Sequence, residues 1–386
     1  MVYTAPMRRF VSLLILAIIG LSSAGRWGQL AAQTASAEPQ ASLTTDTRER
    51  VVTITMGPFT IPAGGPGMHH GRMSAHETPT VYVTWPVEGW FHAYDVELRD
   101  STGQILSRKY LHHLSMVNLG RRQLIYPAYE RLLGASQEVD RFSAPKSIGV
   151  PMEPGMRLAT FIGWHNSKPE EIHGAMLTVR MRYTPPNMMP RPLDIHLLYM
   201  DVSYTVGKSD AYNLPSGPSS KSYEFTLPVG GRILAAGGHL HDYAKFVRLE
   251  DAESGKVLLD LPAKTDSLGK LKGVPTRLLG IKGDGLRLKA NRRYRVTADY
   301  DNPTGGILKQ GAMGLIVAAF VPDDPAKWPQ LDPNDPGILT DMAMLESIGR
   351  GKKNTAADSM GPMEMMNMDH DHGAVATDST HMQHEQ

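Results

Sequence analysis

The chain has no cysteine in its 386 residues. That removes disulfides, thiolate metal centres, blue-copper sites and cysteine nucleophiles together. The fold must be held by burial, and any metal must be bound by His, Met, carboxylate or backbone oxygen. Aromatic residues are sparse at 7%, with no interleaving of basic and aromatic side chains of the kind that stacks on single strands. Forty Lys and Arg against 39 Asp and Glu leave a formal charge of +1, which gives no reason to expect a nucleic acid partner. A mean hydropathy of −0.27 argues against a polytopic membrane protein. There is no P-loop, no G-x-G-x-x-G opening a helix, no G-x-S-x-G elbow and no H-E-x-x-H.

One apolar run stands out. Arg8 and Arg9 precede FVSLLILAIIGL at residues 10–21, about as long as the core of a secretory signal and short for a membrane span. ASA at residues 35–37 is an A-x-A cleavage site, and LAA at 30–32 is an earlier alternative. Residues 1–37 therefore read as a signal peptide, which predicts a periplasmic or secreted protein. The competing reading is an uncleaved N-terminal anchor, which would be the chain's one membrane attachment.

From residue 51 onward the pattern is short apolar alternation broken by Gly and Pro. VVTITM, TVYVTW, FHAYDVELRD, RLATFIGW and AMLTVRMRY read as strands of a first half, the last two as a hairpin. TPPNMMPRPL at residues 184–193 reads as a linker. IHLLYMDVSYTV, YEFTLPV, RILAAGGHLH, KFVRLED, KVLLDL, RYRVTADYD and AMGLIVAAFV repeat the style, with a turn at EDAESGK. The expected fold is all-β: two tandem jelly-roll-like antiparallel β-sandwiches. The expected boundaries are 38–190 for the N-terminal sandwich and 191–330 for the C-terminal one. Residues 331–386 read as a short helix (GILTDMAMLESIG) and a disordered tail rich in Met and His.

The tail is where the first chemical signal lies. Residues 360–373 and 381–386 hold six Met and four His, and no Leu, Ile, Phe, Trp or Tyr follows residue 359. Thioether is a soft ligand for Cu(I), and imidazole serves Cu(II). GMHHGRMSAH at residues 67–76 has the same flavour inside a Gly/Pro loop. The bland alternative is a solvated tail and a surface loop.

Two motifs lie inside the strands. GGHLHDY places His239 and His241 two apart, so an extended strand points both to one face and turns Leu240 inward. Gly237 and Gly238 leave room for close backbone approach or a bulge. Met313, in GAMGLIVAAF, is the candidate third ligand, and His, His, Met is a soft set with an open position. YLHHLSMV carries His112 and His113. Adjacent residues face opposite ways on a regular strand, so these two share a metal only if the strand bulges or ends there. Each histidine pair is also expected by chance roughly 0.6 times at this composition.

The order His-His, linker, His-x-His, late Met resembles the copper type II, ascorbate-dependent monooxygenases. GGHLHDYAKFVRLED and LGIKGDGLRLKANRRYRVTADYDNPTGG are similar to that family's C-terminal strands, and Met313 falls where its methionine ligand would. The resemblance implies two sandwiches facing across a cleft with a copper on each. His112, His113 and a third His would relay an electron. His239, His241 and Met313 would bind O2 and hydroxylate a C–H bond of a small-molecule substrate, with an external electron donor. The family's third N-terminal ligand falls at Arg182, which cannot ligate a metal. The expected hairpin places His165 and His173 about 25 Å of strand away from it. Three readings stay open: a copper monooxygenase-like enzyme, a non-enzymatic carrier that binds, buffers or delivers copper ions outside the cytoplasm, or a zinc or purely structural β protein with His239 and His241 as satisfied core residues.

Overall fold

In the computed structural model, the described residues are 39–64, 78–137, 139, 141–207, 210–280 and 284–348. The signal segment, the 67–76 loop cluster and the Met/His tail lie outside them. The fold is all-β sandwich, as expected. Both halves belong to one compact unit that begins at Glu38.

Alternation builds the sheets. Val52, Ile54 and Met56 are fully buried between half-exposed neighbours on Val51–Ile61, and Leu177, Val179 and Met181 do the same on Ile172–Thr184. A period of two puts every second side chain on one face. In the first half, a seven-stranded sheet containing these strands faces a four-stranded sheet. The latter runs Val81–Thr84, Arg157–Trp164, Leu111–Arg122, Tyr129–Ser136. One apolar core fills the space between them. In the second half, His196–Asp201, Gly314–Pro322 and Gly231–Leu240 pair side by side. They face the sheet Gly217–Thr226, Arg293–Asn302, Ala244–Asp251, Val257–Pro262 across a second core.

One expectation fails. RLATFIGW and AMLTVRMRY do not form a hairpin. Arg157–Trp164 pairs with Val81–Thr84 and Leu111–Arg122, whereas Ile172–Thr184 pairs with Val51–Ile61 and Gly89–Arg99. The connection through residues 165–171 crosses from one sheet to the other. Asn166 anchors that crossing, giving its side-chain amide to the carbonyls of Pro62 and Glu170.

The halves are tied together. Leu124, from the first half, lies in the second core. Tyr126 accepts the Asp201 N–H at 2.9 Å. The helix Pro336–Ser347 starts on an Asp335 cap with Pro at its first turn. It lays Ile338 and Leu345 on Val117, Tyr129 and Ala159 of the N-terminal sheet. Its fully buried Asp341 takes a bidentate pair of hydrogen bonds from Arg131 at 2.7 and 2.9 Å, and a third from the Tyr129 N–H.

Asp341→Ala leaves the Arg131 guanidinium buried without its counter-charge. The expected loss is about 3–5 kcal/mol, read as a lower urea midpoint with an unchanged slope.

Candidate metal centre

The candidate residues lie at strand ends. On the C-terminal side, Gly231–Leu240 pairs with Gly314–Pro322 so that Gly238 faces Ile316, His239 faces Leu315 and Leu240 faces Gly314. The ladder ends there, and His241 and Met313 are the next residues beyond the two strand ends. His239 and Leu315 share one sheet face, while Leu240 points into the core and is 1% exposed. The two imidazole centroids are 5.5 Å apart. His239, His241 and Met313 are all half-buried.

The two glycines divide the expected roles. A Cβ on Gly238 would sit 2.8 Å from Val274 and 2.9 Å from Val247, so it allows close packing against the core. Gly237 has no such contact, and the bulge in this strand lies earlier, between Ile233 and Ala235.

Tyr300 pins together the two strand ends that carry His241 and Met313. It projects from Arg293–Asn302 across the core and is 1% exposed. Its oxygen accepts the N–H of His241 at 3.0 Å and of Met313 at 3.2 Å, and its O–H donates to the Met313 carbonyl. Burial pushes this phenol up to about 12, so the donor is kept at neutral pH. The rest of the YDNPTGG motif is a turn device. Asn302 donates to the carbonyls of Pro215 and Gly306 and accepts from Thr304.

On the N-terminal side the strand both begins and bulges at the histidines. Leu111 pairs with Trp164 and His113 with Gly163, so His112 is the extra residue. A bulge re-aims side chains, and here the two rings come within 5.3 Å. A Cβ on Gly163 would lie 2.5–2.9 Å from three atoms of the His113 ring. The ring thus crosses the neighbouring backbone where only glycine gives clearance. Desolvation first, then the charges of His112 and His239, pull the His113 imidazole down to about 3. His113 is neutral at ordinary pH, the form that ligates.

Arg182 does not belong to this site. It sits in the other sheet, 45% exposed, with its guanidinium 2.6 Å from Asp95. His173 is also exposed, beside Glu171 and Thr60. His165 is different. Its N–H donates to the Tyr110 carbonyl at 2.9 Å, and it lies two residues beyond Gly163, on the sheet face of His113. Diagonal neighbours of this kind are within reach of long side chains. The sequence reading set His165 aside because it measured from Arg182 along a hairpin that does not exist.

Asp201 was also missed. It pairs with Leu315, which pairs with His239, giving a row of three across the sheet. Asp201 is 0% exposed and its Oδ2 has no hydrogen-bond partner. Burial, and then Asp210, push its carboxyl up to about 8. The one sequence signal was a carboxylate closing an apolar strand, IHLLYMD. Among the described residues no three His, Asp or Glu side chains converge as a metal-binding group, so the thioether is needed to complete a set around His239 and His241.

Two recesses lie elsewhere. One of about 450 Å³ is lined by Tyr243, Lys245, Leu268 and Asp301. One of about 200 Å³ holds Arg121, His196 and Trp328. None of the five candidate ligands lines either.

No known protein family and no curated protein matches this chain. Among solved structures it is similar to a chain of Sulfolobus turreted icosahedral virus, at 8% identity and TM-score 0.36 over 81% of this chain and 98% of that one. It is also similar to PNGF-II, at 9% and 0.32 over 70% and 65%. A third is the cowpea mosaic virus top component, at 10% and 0.29 over 68% and 92%. None of the three bears on the chemistry of the site.

Tyr300→Phe leaves the buried N–H groups of His241 and Met313 without their acceptor. A stability loss of about 1–3 kcal/mol is expected, measured by urea unfolding of the metal-free protein.

Proposed function

We propose that this is an exported copper-binding protein with monooxygenase-like chemistry. The observation that supports it most is that His239, His241 and Met313, all half-buried, lie at or just beyond the adjacent ends of two paired strands. Two imidazoles and one thioether suit copper and disfavour zinc, for which thioether is a poor ligand. A copper in such a set supplies one-electron cycling and an open position for oxygen. The resemblance to copper type II monooxygenases adds the reaction class. One atom of O2 enters a C–H bond of a small substrate and the other leaves as water, using two electrons from an external donor and two protons.

The protein's own groups have defined parts in this reading. His239, His241 and Met313 hold the metal, and Tyr300 fixes the spacing of the latter two through their backbone. On the N-terminal side, His112 and His113 stand side by side as a two-imidazole pair with ring centroids 5.3 Å apart, and no third His, Asp or Glu among the described residues joins them as a metal-binding group. Asp201, which keeps its proton through neutral pH, stands in the same row as His239 as a proton source. Export follows from the signal-like residues 1–37. No helix among the described residues is long and apolar enough to cross a membrane.

The Met/His composition of residues 360–386 favours a second reading, copper capture and delivery without catalysis. Oxygen uptake separates the two. The copper-loaded protein, supplied with a one-electron reductant, consumes O2 if it is the enzyme. A carrier only hands Cu(I) to a chelator.

The core site has its own check. Met313→Ile lowers core Cu(I) affinity at least tenfold in a competition titration with a chromophoric chelator. Unchanged uptake overturns the assignment.

A further inference from the structure

The smaller recess carries a chemistry that the proposed function leaves unused. It encloses about 200 Å³, and its walls include Arg121, Arg122, His196 and Trp328, with Pro325 and Leu331 on the apolar side. The candidate copper ligands lie elsewhere, so the recess is independent of the copper reading. Three distant parts of the chain build it. Arg121 and Arg122 end Leu111–Arg122, His196 opens His196–Asp201, and Trp328 follows the single turn Pro325–Lys327. Trp328 is fixed in place. Its indole N–H donates to the Arg122 carbonyl at 3.0 Å, and its ring centroid is 4.8 Å from that of His196.

The charges around this recess do not balance. Arg121 donates to the His196 imidazole, and Arg122 Nε donates to the Gln123 carbonyl at 3.2 Å. Neither guanidinium has a carboxylate within 4.0 Å among the described residues. The one acid close to this cluster is Glu130, which is 1% exposed and stands behind the imidazole, with Oε1 3.8 Å from His196 Nδ1. Glu130 Oε2 accepts from the Asn118 amide at 3.1 Å, while Oε1 has no hydrogen-bond partner. Two guanidiniums against one carboxylate leave a single positive charge, and no Asp or Glu lines the recess itself.

We propose that this recess binds a small organic monocarboxylate, held by the Arg121 fork with Arg122 beside it and laid along Trp328. A guanidinium matches a carboxylate with two parallel hydrogen bonds, and one negative charge cancels the one in excess. Trp328, Pro325 and Leu331 offer an apolar wall that an inorganic anion leaves unused. The volume equals the liquid share of roughly six or seven waters, which limits the occupant to one small molecule. Both halves of the chain supply walls, so the ligand also bridges them.

The test is isothermal titration of the full chain with three probes: benzoate, benzylamine and inorganic phosphate. Benzoate is expected to bind saturably, at least tenfold more tightly than either of the others, and Arg121→Gln is expected to lower its affinity tenfold or more. No benzoate binding at millimolar concentration overturns the proposal. So does phosphate binding as tightly as benzoate, since charge alone is then being read, and so does a preference for benzylamine, which assigns the recess to Glu130 rather than to the arginines. An unchanged benzoate affinity in folded Arg121→Gln places the binding elsewhere and also overturns it. Urea unfolding shows whether the variant is folded. If it is not, the three-probe comparison on the parent protein decides, together with Arg121→Lys, which keeps the charge, loses the fork and is expected to weaken benzoate.

Discussion

A sheet that is apolar on both faces must be covered twice. Gly314–Pro322 is such a strand: seven of its nine residues are buried. Ile316, Ala318 and Phe320 fill the C-terminal core, while Ala319 fills the N-terminal one. With no disulfide available, this double covering joins the halves, and much of the arrangement depends on it. It sets the C-terminal sheet against the first sandwich, and it decides that the face carrying Ala319 and Ala235 looks inward. At roughly 25 cal/mol per Å² of apolar surface removed from water, the contact is also a main source of the cohesion that cysteine would otherwise give.

The chemistry sits where this covering stops. Strand ends release backbone groups from the ladder, and those groups need other partners. Tyr300 serves His241 and Met313 in that way, so one hydroxyl both satisfies the backbone and sets the spacing of the two residues. Across the interface a bulge and a glycine do the matching work for His112 and His113. Polar groups collect in the same zone. Asp201 and Tyr126 lie between the halves, and Arg131 and Asp341 bind the terminal helix beside them.

Much of the fold was legible in the residues. Period-two alternation located most of the long strands, and RLATFIGW was delimited to the residue as Arg157–Trp164, but Gln40–Asp46, Tyr129–Ser136 and most of the short strands went unread. The helix came one residue late, because Pro336 supplies its first turn. Pairing was less legible. The hairpin expected of RLATFIGW and AMLTVRMRY rested on a turn-like connection, and connections of that composition also serve to cross between sheets. The same error hid His165.

What the sequence alone determined was the donor inventory: imidazole and thioether without thiolate, and the period that sends His239 and His241 to one side. Those follow from residue type and backbone geometry, which are local. What only the tertiary structure decided was the meeting of elements distant along the chain. Gly163 had to lie beneath His113, and Tyr300 had to reach the start of the methionine strand. Each depends on which strand neighbours which and on which face is covered. That is settled by burying apolar surface on both sides of a shared sheet, and no local pattern encodes it.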